Sequence, residues 1–266
     1  MIKISVIIPC YNQEKFIAET LDSVLAQTFS EYEIIIVNDG STDNSPKIIN
    51  EYCNNYPDKI KIVNQENRGA SAARNAGIRE AQGEYIFPLD GDDKISSDCL
   101  QSLYDAIQTK RADVVFSKVV LFGQLSGLFI LKNPTKYNMV YSNCVVCSSL
   151  YKKEDWLRFG GYDENMRNGL EDWDFWLNFI EAGKKFYKVK KELLFYRIEK
   201  NFVTNMAREN EEKITEYIFA KHSALKKYKE RAIKFRWLYR NKMFTNGVIR
   251  TKILGIPVYY NRKFNA

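Results

Sequence analysis

The sequence predicts an α/β domain with a mostly parallel sheet and flanking helices, followed by a basic helical extension. Over the first hundred residues, short β-type runs alternate with helical patterns, which is typical of βαβ units. The net charge of +7 is uneven: residues 205–266 hold 15 Lys/Arg against 5 Asp/Glu, so the first 204 residues carry −3. These observations predict a domain over 1–204 and a separate basic extension over 205–266.

The elements follow from apolar periodicity and turn residues. The predicted strands of the first half are residues 4–8, 33–37, 60–63 and 85–89, and the helices that follow them are 15–27, 45–56, 70–81 and 98–109. In the second half we predict a strand over 113–117, a hairpin over 119–131, a strand over 137–151, a short helix over 153–159, a helix from Glu171, edge strands over 186–189 and 193–197, and a helix over 211–240.

Right-handed crossovers would place all four strand-to-helix loops at one edge of the sheet, where open α/β folds bind ligands. The loops offer the aromatic face of Tyr11, the carboxylate of Asp39 and the guanidinium groups of Arg68 and Arg74. A nucleotide diphosphate with a divalent ion needs such a set. Each residue alone also fits ordinary turn chemistry or a solvated helix face.

The fourth loop is acidic: a buried-type strand ends in Asp90-Gly91-Asp92-Asp93. Clustered carboxylates repel one another unless a cation lies among them, and Mg²⁺ or Mn²⁺ prefers oxygen ligands. The alternative is a polar turn in which an aspartate caps the next helix.

Several classes of protein are disfavoured. Neither a G-x-G-x-x-G nor a G-x-x-x-x-G-K-[ST] motif is present, which argues against dinucleotide dehydrogenases and P-loop NTPases. The five cysteines, including Cys144 and Cys147, indicate reduced structural thiols, and the single histidine, His222, is expected to be a solvated helix residue. No apolar run reaches the roughly 18 residues of a membrane helix, and no signal peptide is recognisable, so we expect a cytoplasmic protein.

Four ordered motifs carry a family resemblance. They are Ser5-Val6-Ile7-Ile8-Pro9-Cys10-Tyr11-Asn12, Ile36-Val37-Asn38-Asp39-Gly40-Ser41-Thr42-Asp43, Asn67-Arg68-Gly69 through Ala73-Arg74-Asn75-Ala76-Gly77-Ile78, and Asp90-Gly91-Asp92-Asp93. Over roughly residues 3–200 the chain resembles family 2 glycosyltransferases. The resemblance implies a GT-A fold with a nucleotide-sugar-binding half (1–117) and an acceptor half (118–204). It also implies a metal-dependent transfer that inverts the anomeric centre.

The resemblance assigns roles to the nucleotide-binding loops. Pro9 and Tyr11 are expected to border the nucleobase and Asp39 to bond it, while Asn67 and Arg74 lie near the uridine or diphosphate.

The acidic loop matches the family's D-x-D element. Asp92 is the expected direct ligand of Mn²⁺ or Mg²⁺, Asp90 contacts the ribose or a water on the metal, and Asp93 supports both.

A second centre opens the helix at Glu171-Asp172-Trp173. The residues alone fit carboxylates that complement the helix dipole. The resemblance implies that Asp172 is the catalytic base and that Glu171 orients the acceptor. Trp173 packs either on the sugar or in the core.

One departure from the family concerns the residues after Tyr196-Arg197. Relatives commonly continue with a histidine, whereas Ile198-Glu199-Lys200 follow here, and Arg197 or Lys200 is the candidate substitute for the diphosphate contact.

The expected function is inverting transfer from a nucleotide sugar, with a UDP-sugar favoured, to a hydroxyl of a glycan or lipid-linked saccharide in bacterial surface polysaccharide synthesis. Alternatives are a nucleotidyltransferase that releases pyrophosphate and a nucleic-acid-binding protein that uses the basic tail. We expect no nucleic-acid partner. The tail, whose apolar end spans 253–260, either packs on the domain or contacts an anionic membrane surface on the inner face of the cytoplasmic membrane.

Overall fold

The first half of the chain forms four strand–helix units in the predicted order. The computed structural model describes residues 1–167, 169–199, 204–228, 248–253 and 256–261, with side chains for 1–167, 169–199 and 213–228. The first elements are β1 (Ile4–Cys10), α1 (Ile17–Leu25), β2 (Tyr32–Asp39), α2 (Ser45–Asn55), β3 (Ile60–Gln65), α3 (Ala70–Glu80) and β4 (Tyr85–Pro88). The predicted boundaries lie within two residues of these.

The second half adds shorter strands and the remaining helices. They are β5 (Lys94–Ile95), α4 (Cys99–Lys110), β6 (Val114–Gly123), β7 (Gly127–Phe129), α5 (Lys136–Met139), β8 (Leu150–Lys152), α6 (Lys153–Arg158), α7 (Glu171–Glu181), β9 (Phe186–Ile198), α8 (Thr204–Lys221), a 3-10 turn (Ser223–Leu225), β10 (Val248–Ile253) and β11 (Ile256–Asn261). Strands β1 to β9 form one mixed sheet in the order β3-β2-β1-β4-β8-β6-β9-β5, with β7 on β6.

The parallel strands β3, β2, β1 and β4 place their carboxyl ends, and therefore the first four loops, at the same edge of the sheet. Strand β2 is buried along its whole length because helices cover both faces of a parallel sheet. Helix α3 lies very close to this sheet: a Cβ atom at Gly77 would come within 2.6 Å of Ile7 Cγ2 and 3.0 Å of Val37 Cγ2. Glycine at this position therefore allows α3 to seat directly behind the strand ends.

The prediction of a strand over 137–151 is wrong. Only Leu150–Lys152 pairs in the sheet, and Lys136–Met139 is a short helix. The intervening residues are buried but satisfy their polar groups locally, since Val145 N donates to Asn143 Oδ1 (3.1 Å) and Ser149 Oγ donates to Val146 O (2.7 Å). Side chains that bond neighbouring backbone groups compete with a strand ladder.

The two predicted edge strands, 186–189 and 193–197, are one strand, β9, which lies inside the sheet between β6 and β5. Its pairing with β6 jumps from Ser117↔Val189 to Lys118↔Glu192, so Lys190 and Lys191 form a bulge. This bulge interrupts the apolar alternation and explains why the sequence indicates two strands. The predicted hairpin is present, as β6 pairs antiparallel with β7.

The tail is partly helical, as predicted. Helix α8 ends at Lys221, earlier than the predicted end at 240, and residues 229–240 of that prediction lie outside the described part of the chain. The predicted apolar end, 253–260, overlaps an antiparallel strand pair, β10 and β11, that the sequence analysis missed. Within the described residues, no helix combines the length and apolar character required to cross a bilayer.

His222 is buried, so its prediction as a solvated residue is wrong. It is 2% exposed, and its two ring nitrogens lie 3.1 Å from Asp174 Oδ1 and 3.0 Å from Glu181 Oε2, both on α7. Its neighbour Lys221 donates to Asp174 Oδ2 at 2.7 Å. Burial disfavours the charged ring, but the bonds to the two carboxylates outweigh it and raise the pKa of His222 above 6.5. This cluster attaches the tail to α7.

Replacing His222 by glutamine is expected to lower the free energy of unfolding by about 3 kcal/mol at pH 6 and by less than half of that at pH 9. Because the folded-state pKa is raised, the stabilisation by the charged ring is complete below pH 6.5 and is lost as the pH rises through the higher folded-state pKa. Urea unfolding followed by circular dichroism at both pH values measures the difference. The exposed Lys226→Gln variant is the control, and an equal loss at both pH values would contradict the assignment.

Candidate functional site

The four polar loops meet at the carboxyl edge of the parallel strands. Asn12 in the first loop bonds the second, because its backbone N donates to Ser41 Oγ at 3.1 Å and its Oδ1 accepts from Thr42 N at 2.8 Å. The fourth loop lies against the first, since a Cβ at Gly91 would be 3.1 Å from the Pro9 carbonyl oxygen. The predicted convergence of the loops is therefore present.

Asp39 fixes the third loop. Its carboxylate accepts from Gln65 Nε2 (2.6 Å), Arg68 N (2.9 Å) and Gly69 N (2.8 Å), and the residue is 3% exposed. A carboxylate has about four acceptor positions, so these bonds leave one for a ligand. The residue predicted to bond a nucleobase thus also shapes the loop that follows β3.

Arg74 connects the two centres predicted from the sequence. It is 3% exposed on α3, and its Nη2 and Nη1 each lie 2.6 Å from a carboxylate oxygen, of Asp90 and of Glu171 respectively. Its Nε is buried without a hydrogen-bond partner. Two bonds from one planar guanidinium hold the end of β4 and the start of α7 in a fixed relation.

The acidic loop concentrates negative charge. Burial, and then repulsion from Asp90, raises the pKa of Asp92 to about 6. Burial and both neighbouring carboxylates also raise the pKa of Asp93, whose Oδ1 accepts from Arg197 N at 2.8 Å. Arg74 on α3 contributes positive charge to this loop through its ion pair with Asp90.

The residues of this loop fit a divalent cation. The available ligands are all carboxylate oxygens, and Asp93 Oδ2 is buried without a partner. Among the described residues no three acidic, histidine or cysteine side chains form a complete cage. In proteins, Mg²⁺ is usually bound by one or two carboxylates, and substrate phosphates complete its shell. Asp90 and Asp92 are the residues that could hold it.

Arg197 on β9 supports the acidic loop through hydrogen bonds. Its Nε donates to the Asp92 carbonyl oxygen at 2.8 Å, and its Nη2 pairs with Glu19. The guanidinium carbon lies 4.5 Å from the Phe16 ring centre and 4.3 Å from that of Phe122. Arg197 was a candidate for a diphosphate contact, and in the structure its side chain bonds the acidic loop and Glu19.

A cavity of about 140 Å³ is lined by residues near the ends of the parallel strands and by residues at the start of α7. Its polar lining includes Arg74, Asp90, Asp93, Asn143, Glu171 and Asp172. Burial, and then repulsion from Glu171, raises the pKa of Asp172 to about 7. A carboxylate that titrates near neutral pH beside a cavity is suited to accept a proton.

Trp173 belongs to the core. It is 6% exposed, its Nε1 donates to Met139 O at 2.7 Å, and its ring meets Phe219 edge-on with centres 5.8 Å apart. Of the two roles considered for Trp173, these contacts favour packing.

Helix α7 begins after Leu170, whose φ of +65° is unusual for a branched residue. This backbone conformation brings Glu171 and Asp172 to the cavity.

The remaining predicted residues lie along the loops outside this cavity. Tyr11 is 47% exposed, and its ring is therefore available for stacking against a ligand. The second and third loops are in contact, because a Cβ atom at Gly40 would lie 2.8 Å from Asn67 N. Lys200 falls outside the described residues. Asn143 also lines the cavity but was not predicted from the sequence, because it lies in the misassigned segment 137–151 and differs from its neighbours only in being polar within an apolar run.

Comparison with known families identifies the chain's relatives. The family model described as "Glycosyl transferase family 2" matches residues 5–160, and one described as "N-terminal domain of galactosyltransferase" matches residues 127–201. The glycosyltransferase GlyA of Streptococcus pneumoniae is 36% identical over 159 residues, which are 59% of this chain and 23% of GlyA. The minor teichoic acid biosynthesis protein GgaB of Bacillus subtilis is 32% identical over 212 residues, 74% of this chain and 23% of GgaB. The chain thus spans about a quarter of these relatives.

Solved structures share the fold. S. aureus TarS 1–349 in complex with UDP-GlcNAc matches with a TM-score of 0.66 and 25% identity, covering 75% of this chain and 59% of that one. The Pyrobaculum calidifontis mannosyltransferase PcManGT, in complex with GDP-Man and Mn²⁺, matches with a TM-score of 0.61 and 17% identity, covering 91% and 76%. The family match spans more than half of the chain, and the strand order, loops and acidic motif agree with it. The chain belongs to glycosyltransferase family 2 and has the GT-A fold.

Proposed function

We propose that this chain is an inverting glycosyltransferase that moves a sugar from a UDP-sugar to a hydroxyl of a glycan or lipid-linked saccharide. The observation that carries the proposal is the single cavity that brings Asp172 together with Arg74 and Asp90. One side of this cavity is suited to a diphosphate leaving group and the other to the proton of an incoming alcohol. Residues 1–117 would bind the donor and 118–204 the acceptor.

Asp172 is the proposed base. With a pKa raised to about 7, it is substantially ionised at neutral pH and still basic enough to take a proton from a hydroxyl whose C1–O bond is forming. The hydroxyl oxygen attacks C1 from the face opposite the nucleotide, the bond from C1 to the diphosphate oxygen breaks, and the proton passes to Asp172. A single displacement without a covalent intermediate inverts the anomeric centre.

Glu171 and the acidic loop serve the two substrates. Glu171, one residue before the base, is placed to orient the acceptor, and its carboxylate forms an ion pair with Arg74. Asp90 and Asp92 would hold Mn²⁺ or Mg²⁺, which when bound neutralises charge on the departing diphosphate. Arg74 contributes fixed positive charge at the same end of the cavity.

The donor and acceptor classes rest on the relatives. TarS, 25% identical, was solved with UDP-GlcNAc, and GgaB is named for teichoic acid biosynthesis. A bacterial cell-surface polymer is therefore the acceptor class that we propose. If the acceptor is lipid-linked, the basic tail would hold the enzyme near it by contacting the anionic membrane surface.

A panel of UDP-, GDP- and dTDP-sugars tests the proposal by thermal stabilisation with and without Mn²⁺. We expect a UDP-sugar to raise the melting temperature by several degrees, and to do so more with Mn²⁺, because a ligand that binds only the folded state stabilises it. Hydrolysis of the stabilising sugar should then release UDP.

The same assay separates the alternatives. Release of pyrophosphate would indicate a nucleotidyltransferase. Stabilisation by RNA or DNA, but by no nucleotide sugar, would contradict the proposal and favour the basic tail as a nucleic-acid site.

A further inference from the structure

We propose that Asn143 is a positioning residue that keeps the Asp172 carboxylate ionised and directed into the cavity, an inference that rests on the proposed transferase function. Asn143 lies in the irregular stretch between α5 and β8, and Asp172 opens α7. The two side chains meet across the cavity wall, where Asn143 Nδ2 donates to Asp172 Oδ2 at 2.8 Å.

The orientation of the Asn143 amide is fixed by its other end. Asn143 Oδ1 accepts from Val145 N at 3.1 Å, so the oxygen faces a backbone donor and the NH₂ group faces the carboxylate. The residue is only 4% exposed, and its amide is therefore held in place rather than exchanging partners with water. A preset donor loses little conformational freedom when it bonds the carboxylate.

Asp172 is held at both oxygens. Oδ2 accepts from Asn143, and Oδ1 accepts from the backbone N of Trp173 at 2.8 Å. Each carboxylate oxygen has about two acceptor positions, so one remains on each for the substrate hydroxyl. Without Asn143, the Asp172 carboxylate would keep the hydrogen bond from Trp173 N but would lose the one that fixes its Oδ2 atom.

The charged surroundings of Asp172 make this donor important. Glu171 on its own helix opposes ionisation, while Arg74 on α3 favours it. The Cys147 thiol and the Tyr196 hydroxyl also interact with Asp172, and burial raises the pKa of both. The guanidinium of Arg74 bonds Asp90 and Glu171, so Asn143 supplies the side-chain hydrogen bond that favours the charged form of Asp172.

Two variants test the role. Asn143→Leu removes the donor and the turn-forming acceptor, while Asn143→Ser is too short to reach Asp172 but keeps an oxygen able to accept from Val145 N. For both we expect the acidic limb of the kcat–pH profile to move up by about one to two pH units, since a hydrogen bond to a charged group is lost. At pH 6 kcat should fall at least about tenfold. The KM for the UDP-sugar should stay within about threefold, because the hydrogen bonds of the Asn143 side chain in the described structure go to Asp172 and Val145 and not to the donor-binding loops.

A substrate-free readout separates this inference from the proposed function. In ¹³C-aspartate-labelled protein, the carboxyl signal that disappears in Asp172→Asn is assigned to Asp172, and its titration midpoint should rise in both Asn143 variants. Asn133→Ala, at an exposed position just before α5, is the control and should leave the midpoint unchanged. An unchanged midpoint in Asn143→Ser would overturn the inference even if the enzyme is active. A raised midpoint in a chain that never turns over a nucleotide sugar would instead refute the function.

Discussion

Replacing Asp172 by asparagine is expected to lower turnover at least about 100-fold, the scale of a lost general base. The amide has nearly the same shape and can still contact Asn143, but it cannot take the acceptor's proton. Binding of the UDP-sugar should be unchanged because Asp172 contacts none of the four nucleotide-binding loops through a hydrogen bond in the described structure. Release of UDP with saturating donor and acceptor measures the loss.

The pH dependence gives a second check on the base. Because Asp172 acts in its ionised form and its pKa is about 7, the turnover of the unmodified chain should rise with pH through that value. The residual turnover of Asp172→Asn should lack this rise. Asp58→Asn, an exposed carboxylate at the opposite edge of the sheet, serves as the control. Near-normal turnover of Asp172→Asn would remove Asp172 from the mechanism.

The parallel half of the fold was predictable because each of its elements is locally consistent. Strands β1, β2 and β4 contain continuous apolar runs buried on both faces, the helices carry one apolar face, and polar loops separate them. The convergence of the loops then followed from the handedness of the crossovers. These rules depend on residues near one another in the chain, which a single sequence displays.

The second half was less predictable because distant partners determine it. The segment 137–151 is apolar enough for a strand, yet Asn143 turns its backbone and bonds Asp172 on another helix. In β9, Lys190 and Lys191 look like a break and form a bulge that only the pairing with β6 reveals. No periodicity encodes such partners.

The candidate site shows the same division. The motifs identified the carboxylates and Arg74 as candidate site residues. They did not indicate that Arg74 bonds both Asp90, 16 residues away in sequence, and Glu171, 97 residues away. Arg197 was noted for its position in a motif, and its contact with the acidic loop spans 105 residues. His222 lies in a lysine-rich stretch, and nothing in that stretch indicates that the ring contacts two carboxylates of α7. Residue identity was readable from the sequence, whereas the pairing of charges required the fold.

Replacing Asp92 by alanine is also expected to lower turnover at least about 100-fold, because the leaving diphosphate loses electrostatic stabilisation. The variant should lose the extra thermal stabilisation that Mn²⁺ gives with UDP, a readout that needs no turnover. Asp58→Ala should behave like the unmodified chain in both assays, since its carboxylate lies at the far edge of the sheet.

The folding of the Asp92→Ala variant distinguishes a ligand-binding loop from a polar turn. Asp92 is repelled by Asp90, so removing it should not lower the melting temperature of the metal-free protein. A carboxylate that served only to cap or close the turn would instead destabilise the fold when removed, by about 1 kcal/mol. An Asp92→Ala variant with an unchanged melting temperature but without the Mn²⁺–UDP stabilisation therefore supports the metal site. In that case the Asp92 carboxylate contributes to binding a cation and a diphosphate and not to the stability of the loop. A lower melting temperature of this variant together with normal turnover would show that Asp92 only stabilises the turn.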